Sequence, residues 1–273
     1  MIKTCVFPVA GLGTRFLPIT KSVPKEMLPI GSSPLIELAI KEAKKSNINH
    51  LVLITNKEKI AIRDYLSRNA KLDSFLLQKN KADLLSDHNE IIKTSKFNFV
   101  YQDQMLGLGN AIFLSKDYIY DQAFFVSLPD DLCFNAEDTV TKQMISLHEK
   151  FPEKCIVALE EVPDDDIHKY GIIDGKLISD GNVYQISSMI EKPSLSNAPS
   201  KLAIIGRYIL TNEIFDTIKK IKPDHNGEIQ ITDALKVLAA QGKVIGLKFA
   251  GRRYDCGSVQ GYIEANLNYN QFL

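Results

Sequence analysis

The sequence lacks a net charge: its 33 lysines and arginines balance its 33 aspartates and glutamates. No overall field therefore draws the chain to nucleic acid or to an anionic membrane, and any phosphate binding has to come from local geometry. Its four cysteines, Cys5, Cys133, Cys155 and Cys256, never fall in a C-x-x-C spacing. That argues against a zinc site or a disulfide framework and suits a reducing cytosol. The five histidines, His50, His88, His148, His168 and His225, lack metal-ligand spacing and read as structural or exposed positions. No apolar stretch reaches the length of a membrane span. The opening run MIKTCVFPVAGLG reads as a first strand rather than a secretory signal. A Pro/Gly/Ser linker, a repeat and a low-complexity tract are also missing, so the 273 residues are expected to form one cytoplasmic domain.

What is present is α/β texture. Apolar runs at residues 3–10, 50–56, 98–103 and 123–131 read as largely buried strands. Helical patterns at 58–69, 107–119 and 136–151 alternate with them, the order of a doubly wound, Rossmann-like sheet. Beyond Cys155 the texture changes. Residues 155–162 and 201–210 read as strands, and 171–193 as hairpin ribbon with Asp-Gly turns at Asp174-Gly175 and Asp180-Gly181. Helices are expected over 212–221 and 228–240, a last strand over 244–257 and a closing amphipathic helix over 258–273. The expected fold is a mixed, mostly parallel central sheet flanked by helices, with a first part to about 151 and a second grafted on from about 152. The polar stretch Ser67 to Lys96 reads as an insertion or lid, and Asp164-Asp165-Asp166 as a solvated loop or helix cap.

Ala10-Gly11-Leu12-Gly13-Thr14-Arg15-Phe16 follows the first strand directly. Glycines there let backbone N–H groups approach an anion closely, although a tight strand-to-helix turn explains a lone G-x-G equally well. A dinucleotide fingerprint needs Gly or Ala where Phe16 stands, and a P-loop needs G-K-[ST] after a four-residue gap, which Gly13 does not provide. The continuation LPITKSVPKEMLPI adds two cations, Arg15 at its entrance and Lys25 within it. Pro18, Pro24 and Pro29 hold it away from continuous helix.

Here the chain resembles the sugar-nucleotide pyrophosphorylases, whose signature runs G-x-G-T-R, then P-x-T, then P-K. The variant AGLGTRFLPITKSVPKEMLPI is similar to their bacterial uridylyl branch. QDQMLGLGNAI, LPDD, YGIID, IEKP, IIGRYIL, GEIQITDAL and YDCGS continue the resemblance in the family's order over essentially the whole chain. The resemblance implies uridylyl transfer from UTP to glucose-1-phosphate with Mg²⁺, by a homodimer or homotetramer. It implies that Ala10, Gly11, Gly13 and Thr14 form the nucleotide loop, that Gln102 and Gly107 meet the uracil and that Glu26 is an acid near the nucleotide. Arg15, Lys25 and Lys192 are then the catalytic cations. Gly171, Glu191 and Lys192 meet the sugar phosphate, and Asp130 and Asp255 face the metal, with Asp130 ranked above its neighbour Asp131. The rival readings are a thymidylyl- or cytidylyltransferase on the same fold, and a catalytically inactive subunit that senses sugar nucleotides.

The same residues make chemical sense unaided. A phosphate monoester has its second pKa at about 6, so a sugar phosphate is already nucleophilic and needs no general base. The missing Ser–His or His–Asp pair is therefore expected. Two polyanions must instead be brought into line and neutralised, which calls for cations, backbone donors and a divalent metal. Taken singly, Asp130-Asp131 suits a strand stop, Asp255 a turn, Lys192 a solvated surface, Gln102 a strand edge and Tyr170-Gly171 a hairpin. The apolar face Tyr262, Ile263, Ala265, Leu267 and Tyr269 of the last helix suits a subunit interface or packing on its own domain.

Overall fold

The computed structural model describes residues 2–135, 137–179 and 181–272. β1 (Thr4–Pro8) leads into the glycine loop, short 3-10 turns and a two-residue pairing of β2 (Pro29–Ile30) with β3 (Ser33–Pro34). Then come α1 (Leu35–Lys45), β4 (His50–Thr55), α2 (Ile60–Tyr65), α3 (Ala70–Gln78), α4 (Ser86–Thr94) and β5 (Lys96–Tyr101). α5 (Gly107–Leu114), β6 (Ala123–Ser127), β7 (Asp131–Phe134), α6 (Val140–Lys150) and β8 (Cys155–Glu161) follow. The chain continues with β9 (Gly171–Ser179), β10 (Val183–Glu191), β11 (Leu202–Thr211), α7 (Glu213–Ile218) and α8 (Ile231–Ala240). β12 (Val244–Lys248), β13 (Arg252–Asp255) and α9 (Val259–Leu267) complete it.

Among the described residues one mixed sheet runs β5-β4-β1-β6-β11-β8-β12-β10-β9. The first four strands are parallel. β11 enters antiparallel between β6 and β8, so one continuous sheet joins the two parts of the chain. Its inner strands β1, β4, β6 and β8 are apolar runs because both faces are covered. Along β1, Cys5 and Phe7 join one core and Val6 the other; along β4, Leu51 and Leu53 oppose Val52 and Ile54. On the first face α1 inserts Ile36, Ala39 and Ile40, and α6 inserts Val140, Met144 and Leu147. On the second, α5, α7 and α8 contribute Ile112, Phe215 and Leu235. The apolar i, i+3, i+4 spacing along α1 is what turns that face inward. Arg207, 0% exposed, bonds Glu42 of α1 and donates from Nη1 to the carbonyls of Leu128 and Gly206, both at 3.0 Å. It thereby fixes the turn that leaves β6.

Several expected boundaries move. LPDD does not end a strand: β6 stops at Ser127 and Asp131 opens β7. The expected last strand breaks in two, with β12 in the main sheet and β13 paired to β7 in a separate ribbon. The Asp174-Gly175 pair lies inside β9, beside a register shift against β10, because Gly175 packs under the β10 backbone. The hairpin turns at Gly181, φ 75°; Asp180 lies outside the described residues. The helix expected over 136–151 begins at Val140, after a Thr139 side-chain cap on Lys142 N, and Ala136 lies outside the described residues. Ser67 to Lys96 forms α3 and α4 plus the start of β5. On α9, Ala265 is buried and the Tyr262 hydroxyl donates to Pro29 O at 2.7 Å, whereas Ile263 and Leu267 stay exposed. No helix among the described residues is long and apolar enough to cross a membrane.

Candidate active site

The sheet's carboxyl edge and the β7–β13 ribbon enclose a cleft of about 720 Å³ whose wall includes Arg15, Asp130, Gly171, Glu191, Lys192 and Asp255. Residues from both ends of the chain thus meet in one hollow. Ala10, Gly11, Gly13, Thr14, Lys25, Glu26, Gln102 and Gly107 are not part of that wall. They lie in the segments that follow β1 and β5.

Two side chains of the turn after β4 hold the glycine loop from behind. Lys59 Nζ donates to Val9 O at 2.7 Å and Asn56 Nδ2 to Ala10 O at 2.9 Å. The N–H groups of Ala10 and Gly11 donate no hydrogen bond among the described residues, so they remain as donors. Gly13 sits at φ 66°, a left-handed conformation costly to other residues. There a Cβ would also stand 3.1 Å from Lys25 Cβ, so the loop and the PKEM segment are closely packed. Thr14 and Arg15 form the exposed 3-10 turn that follows. Glu26 is 1% exposed and lies beneath this assembly, not in the cleft; its Oε2 pairs with Lys59 at 2.8 Å and its buried Oε1 has no partner among the described residues. Burial pushes Glu26 up and Lys59 down, each toward its neutral form, against their mutual attraction.

Gln102, at the end of β5, is buried. Its Nε2 donates to Asn110 Oδ1 at 2.9 Å and to Gly107 O at 3.2 Å. Two acceptors fix the amide orientation, and Oε1 is left as the acceptor it presents. The Gly107 turn is zipped to the far part of the chain through Gly109 N to Ile229 O and Ile229 N to Leu106 O, both at 2.8 Å.

Asp130 stands in the turn between β6 and β7 and forms an ion pair with Lys25. Burial pushes its carboxyl up, yet the Lys25 ammonium outweighs that and the net displacement is down. Asp131 faces inward, taking Gly206 N on Oδ2 at 2.7 Å and Arg253 Nε on Oδ1. Both of its oxygens are therefore engaged within the protein. Asp255 lies opposite Asp131 in the ribbon register; its Oδ1 accepts from Gly257 N at 3.0 Å and its Oδ2 from the Tyr170 hydroxyl at 3.1 Å. A Cβ on Gly257 would stand 3.0 Å from both Asp130 Oδ2 and Asp255 Oδ1 and 3.5 Å from Arg15 Nη1. Glycine there keeps open a space on which two carboxylates and a guanidinium converge. No group of three or more His, Cys, Asp or Glu side chains among the described residues makes a metal site by itself.

On the other wall β9 and β10 pair Gly171 with Glu191. Glu191 Oε2 accepts from Thr232 Oγ1 at 2.6 Å. Lys192, at φ 46° and followed by Pro193, is a non-glycine residue in the left-handed region, a strain found where a site needs it. Its N–H donates to Tyr170 O at 3.0 Å and its Nζ lies 3.4 Å from Glu191 Oε1. Burial pushes the Tyr170 phenol up to about 12, with Asp255 adding to the shift and Arg253 opposing it. Sequence reasoning missed Asn56, Lys59, Thr232, Arg253 and Gly257. Thr232 and Gly257 fall inside the signature blocks GEIQITDAL and YDCGS, whereas no motif marks Asn56, Lys59 or Arg253.

Known proteins resemble this chain over nearly its whole length. Over 267 residues the chain is 46% identical to UTP–glucose-1-phosphate uridylyltransferase of Pseudomonas aeruginosa PAO1, covering 97% of this chain and 95% of that one. Among solved structures, UDP-glucose pyrophosphorylase complexed with UDP-glucose aligns at TM-score 0.91 and 46% identity, covering 99% of each chain. UTP-bound UGPase from Acinetobacter baumannii aligns at TM-score 0.89 and 37% identity, covering 98% of this chain and 93% of that one. A family model described as nucleotidyl transferase matches residues 8–271, from the end of β1 to beyond α9. With the signature, the sheet and the cleft in agreement, the chain belongs to the nucleotidyl transferase family.

Proposed function

We propose that this chain transfers the uridylyl group of UTP to glucose-1-phosphate, giving UDP-glucose and pyrophosphate. The observation that carries the reading is the convergence of Arg15, Asp130 and Asp255 on one space, in a cleft that also contains Glu191 and Lys192. Full-length similarity to uridylyltransferases supports it. The two carboxylates suit Mg²⁺, which takes one or two carboxylates and completes its shell with water and substrate phosphate oxygens. Bound there, the ion supplies charge neutralisation at the α-phosphate.

The protein's own part is positioning. The N–H groups of Ala10 and Gly11 and the Oε1 of Gln102 receive the base; uracil N3–H is a donor that Oε1 accepts, whereas cytosine N3 is not. Glu26 acts from behind the loop through Lys59 rather than by touching the nucleotide. Arg15 and Lys25 offset charge on the triphosphate, and Lys192 holds the sugar phosphate beside Gly171 and Glu191. A phosphate oxygen of glucose-1-phosphate attacks the α-phosphorus. The bond from that phosphorus to the β-bridging oxygen breaks, and pyrophosphate leaves without a general base. Residues to about 151 serve the nucleotide and those from about 152 the sugar phosphate, within one cytoplasmic domain that self-associates through the exposed Ile263 and Leu267 edge of α9.

Crystals grown with UDP-glucose and Mg²⁺ test this assignment. The uracil is expected against Gln102 and the glycine loop, the glucose against Gly171 and Glu191, and the metal between Asp130 and Asp255. A sugar nucleotide seated elsewhere overturns it.

A further inference from the structure

Tyr170 belongs to no helix or strand, yet it touches both walls of the cleft. Its backbone carbonyl accepts from Lys192 N at 3.0 Å, closing the rung beyond the Gly171–Glu191 pair. That bond helps hold Lys192 at its left-handed φ of 46°. At the other end, the Tyr170 hydroxyl reaches Asp255 Oδ2 at 3.1 Å. Arg253 lies over the tyrosine ring, 4.9 Å from its centroid, and presents Nη1 and Nη2 to the phenol oxygen at 3.3 Å each.

The proton directions follow from the donor inventory. A guanidinium only donates, so Arg253 occupies the lone pairs of the phenol oxygen. The O–H then has one acceptor to serve, Asp255 Oδ2. Asp255 is held from a second side by Gly257 N on Oδ1, which fixes the plane of its carboxylate. Arg253 is itself tied down: its side chain is 5% exposed and bonds Asp131 and Glu160, the latter at 2.9 Å, while its Nη2 stands 3.9 Å from Asp255 Oδ2 as a longer ion pair.

From this geometry we infer that Tyr170 is a positioning residue that locks the metal carboxylate Asp255 and the sugar-phosphate residue Lys192 into one rigid unit. The inference rests on the reading of Asp255 as a metal ligand given above. Partners that orient a ligating carboxylate typically contribute ten- to a hundredfold in metal affinity. Tyr170's backbone link to Lys192 survives any substitution, whereas its link to Asp255 depends on one hydroxyl, the shortest side-chain contact that Asp255 Oδ2 makes.

Tyr170→Phe removes that hydroxyl and keeps the ring on Arg253. The experiment measures Mn²⁺ binding by electron paramagnetic resonance in the presence of UDP-glucose, for the wild type, Tyr170→Phe, Asp255→Asn and the double variant, with thermal melts and steady-state kinetics alongside. Tyr170→Phe is expected to weaken Mn²⁺ about tenfold or more, to lower kcat and to leave KM for glucose-1-phosphate within about twofold. In the Asp255→Asn background it is expected to add nothing further. Unchanged Mn²⁺ affinity in Tyr170→Phe, with Asp255→Asn clearly impaired, overturns the positioning role and leaves the ligand assignment standing. Wild-type Mn²⁺ affinity in Asp255→Asn overturns the ligand assignment and the inference with it. A raised KM for glucose-1-phosphate with intact Mn²⁺ binding makes Tyr170 a sugar contact instead. Should Tyr170→Phe fail to fold, Tyr170→Leu, which also lacks the hydroxyl, is read in the same way.

Discussion

Asp255 stands opposite Asp131 in the β7–β13 ribbon, and that register delivers its carboxylate to the turn carrying Asp130. The adjacent acids thereby acquire different surroundings. Asp131 is engaged by Gly206 and Arg253, while Asp130 and Asp255 border the space above Gly257.

Asp130→Asn is expected to lower kcat on the order of a thousandfold, several kcal/mol of lost charge stabilisation, with little change in melting temperature. EDTA is expected to abolish wild-type turnover. Asp131→Asn disturbs the Arg253 and Gly206 contacts and should lower the melting temperature more than Asp130→Asn does. Calorimetry and initial rates on the two variants separate the roles, and wild-type turnover in Asp130→Asn contradicts them.

Lys192→Ala should raise KM for glucose-1-phosphate and lower kcat, since a cation on the sugar phosphate acts in both ground and transition states. Lys192→Arg restores activity only in part, because a planar fork replaces a compact charge on a strained backbone. A change confined to KM for UTP would place Lys192 on the wrong substrate.

The Glu26–Lys59 pair predicts an asymmetric stability series. Lys59→Met leaves Glu26 buried without its partner and should cost about 3–5 kcal/mol, whereas Lys59→Met with Glu26→Leu should recover much of that. Both variants lose the Lys59 bond to Val9 O, so KM for UTP should rise in the double variant even where stability returns. Denaturant unfolding and UTP kinetics give the two readouts.

A hydrogen-bonded clasp joins α4 to α1. His88 Nδ1 faces Glu37 Oε2 at 2.8 Å and its Nε2 faces Tyr65 O at 2.9 Å, two acceptors that call for the imidazolium. The hydrogen bond to Glu37 raises the His88 pKa against burial. Burial pushes Glu37 up, but His88, Lys41 and Tyr65 prevail and hold it at about 2. The raised His88 stabilises fully below its unfolded value of about 6.5 and loses this as pH rises through the folded value; the depressed Glu37 stabilises above about 4.3 and loses this toward pH 2. His88→Ala should therefore cost most near pH 5–6, about 2 kcal/mol or roughly 4–8 °C in Tm, and less at pH 9. A Tm difference independent of pH contradicts the clasp.

The signature residues were legible because they are contiguous: the glycine loop, PKEM, LPDD and IEKP each announce themselves within a few positions. Strands such as β1 and β4 were legible because burial on both faces leaves an apolar run. The supports were not. Lys59 reaches Glu26 across 33 positions and Arg253 reaches Asp131 across 122, so nothing local marks either pairing. Residues 244–257 read as one strand because β13 leaves the main sheet for β7, a long-range choice invisible to local pattern. Tyr170 was read as half of a hairpin pair, and its hydroxyl acquires meaning only once Asp255 is folded against it.

The most direct test of the central claim is pyrophosphate release from UTP, dTTP, CTP, ATP and GTP with glucose-1-phosphate at one fixed Mg²⁺ concentration. Gln102, with its Nε2 committed to Asn110 and Gly107, offers the polar edge shared by uracil and thymine an acceptor. A methyl group by itself discriminates by only about 1–3 kcal/mol. UTP is therefore expected first and dTTP detectable but roughly tenfold or more poorer in kcat/KM, with CTP, ATP and GTP near background. Gln102→Ala is expected to erode the preference for uracil over cytosine. Faster turnover of dTTP or CTP than of UTP contradicts the uridylyl assignment, and silence with every nucleotide in a folded sample that still binds UDP-glucose contradicts catalysis itself.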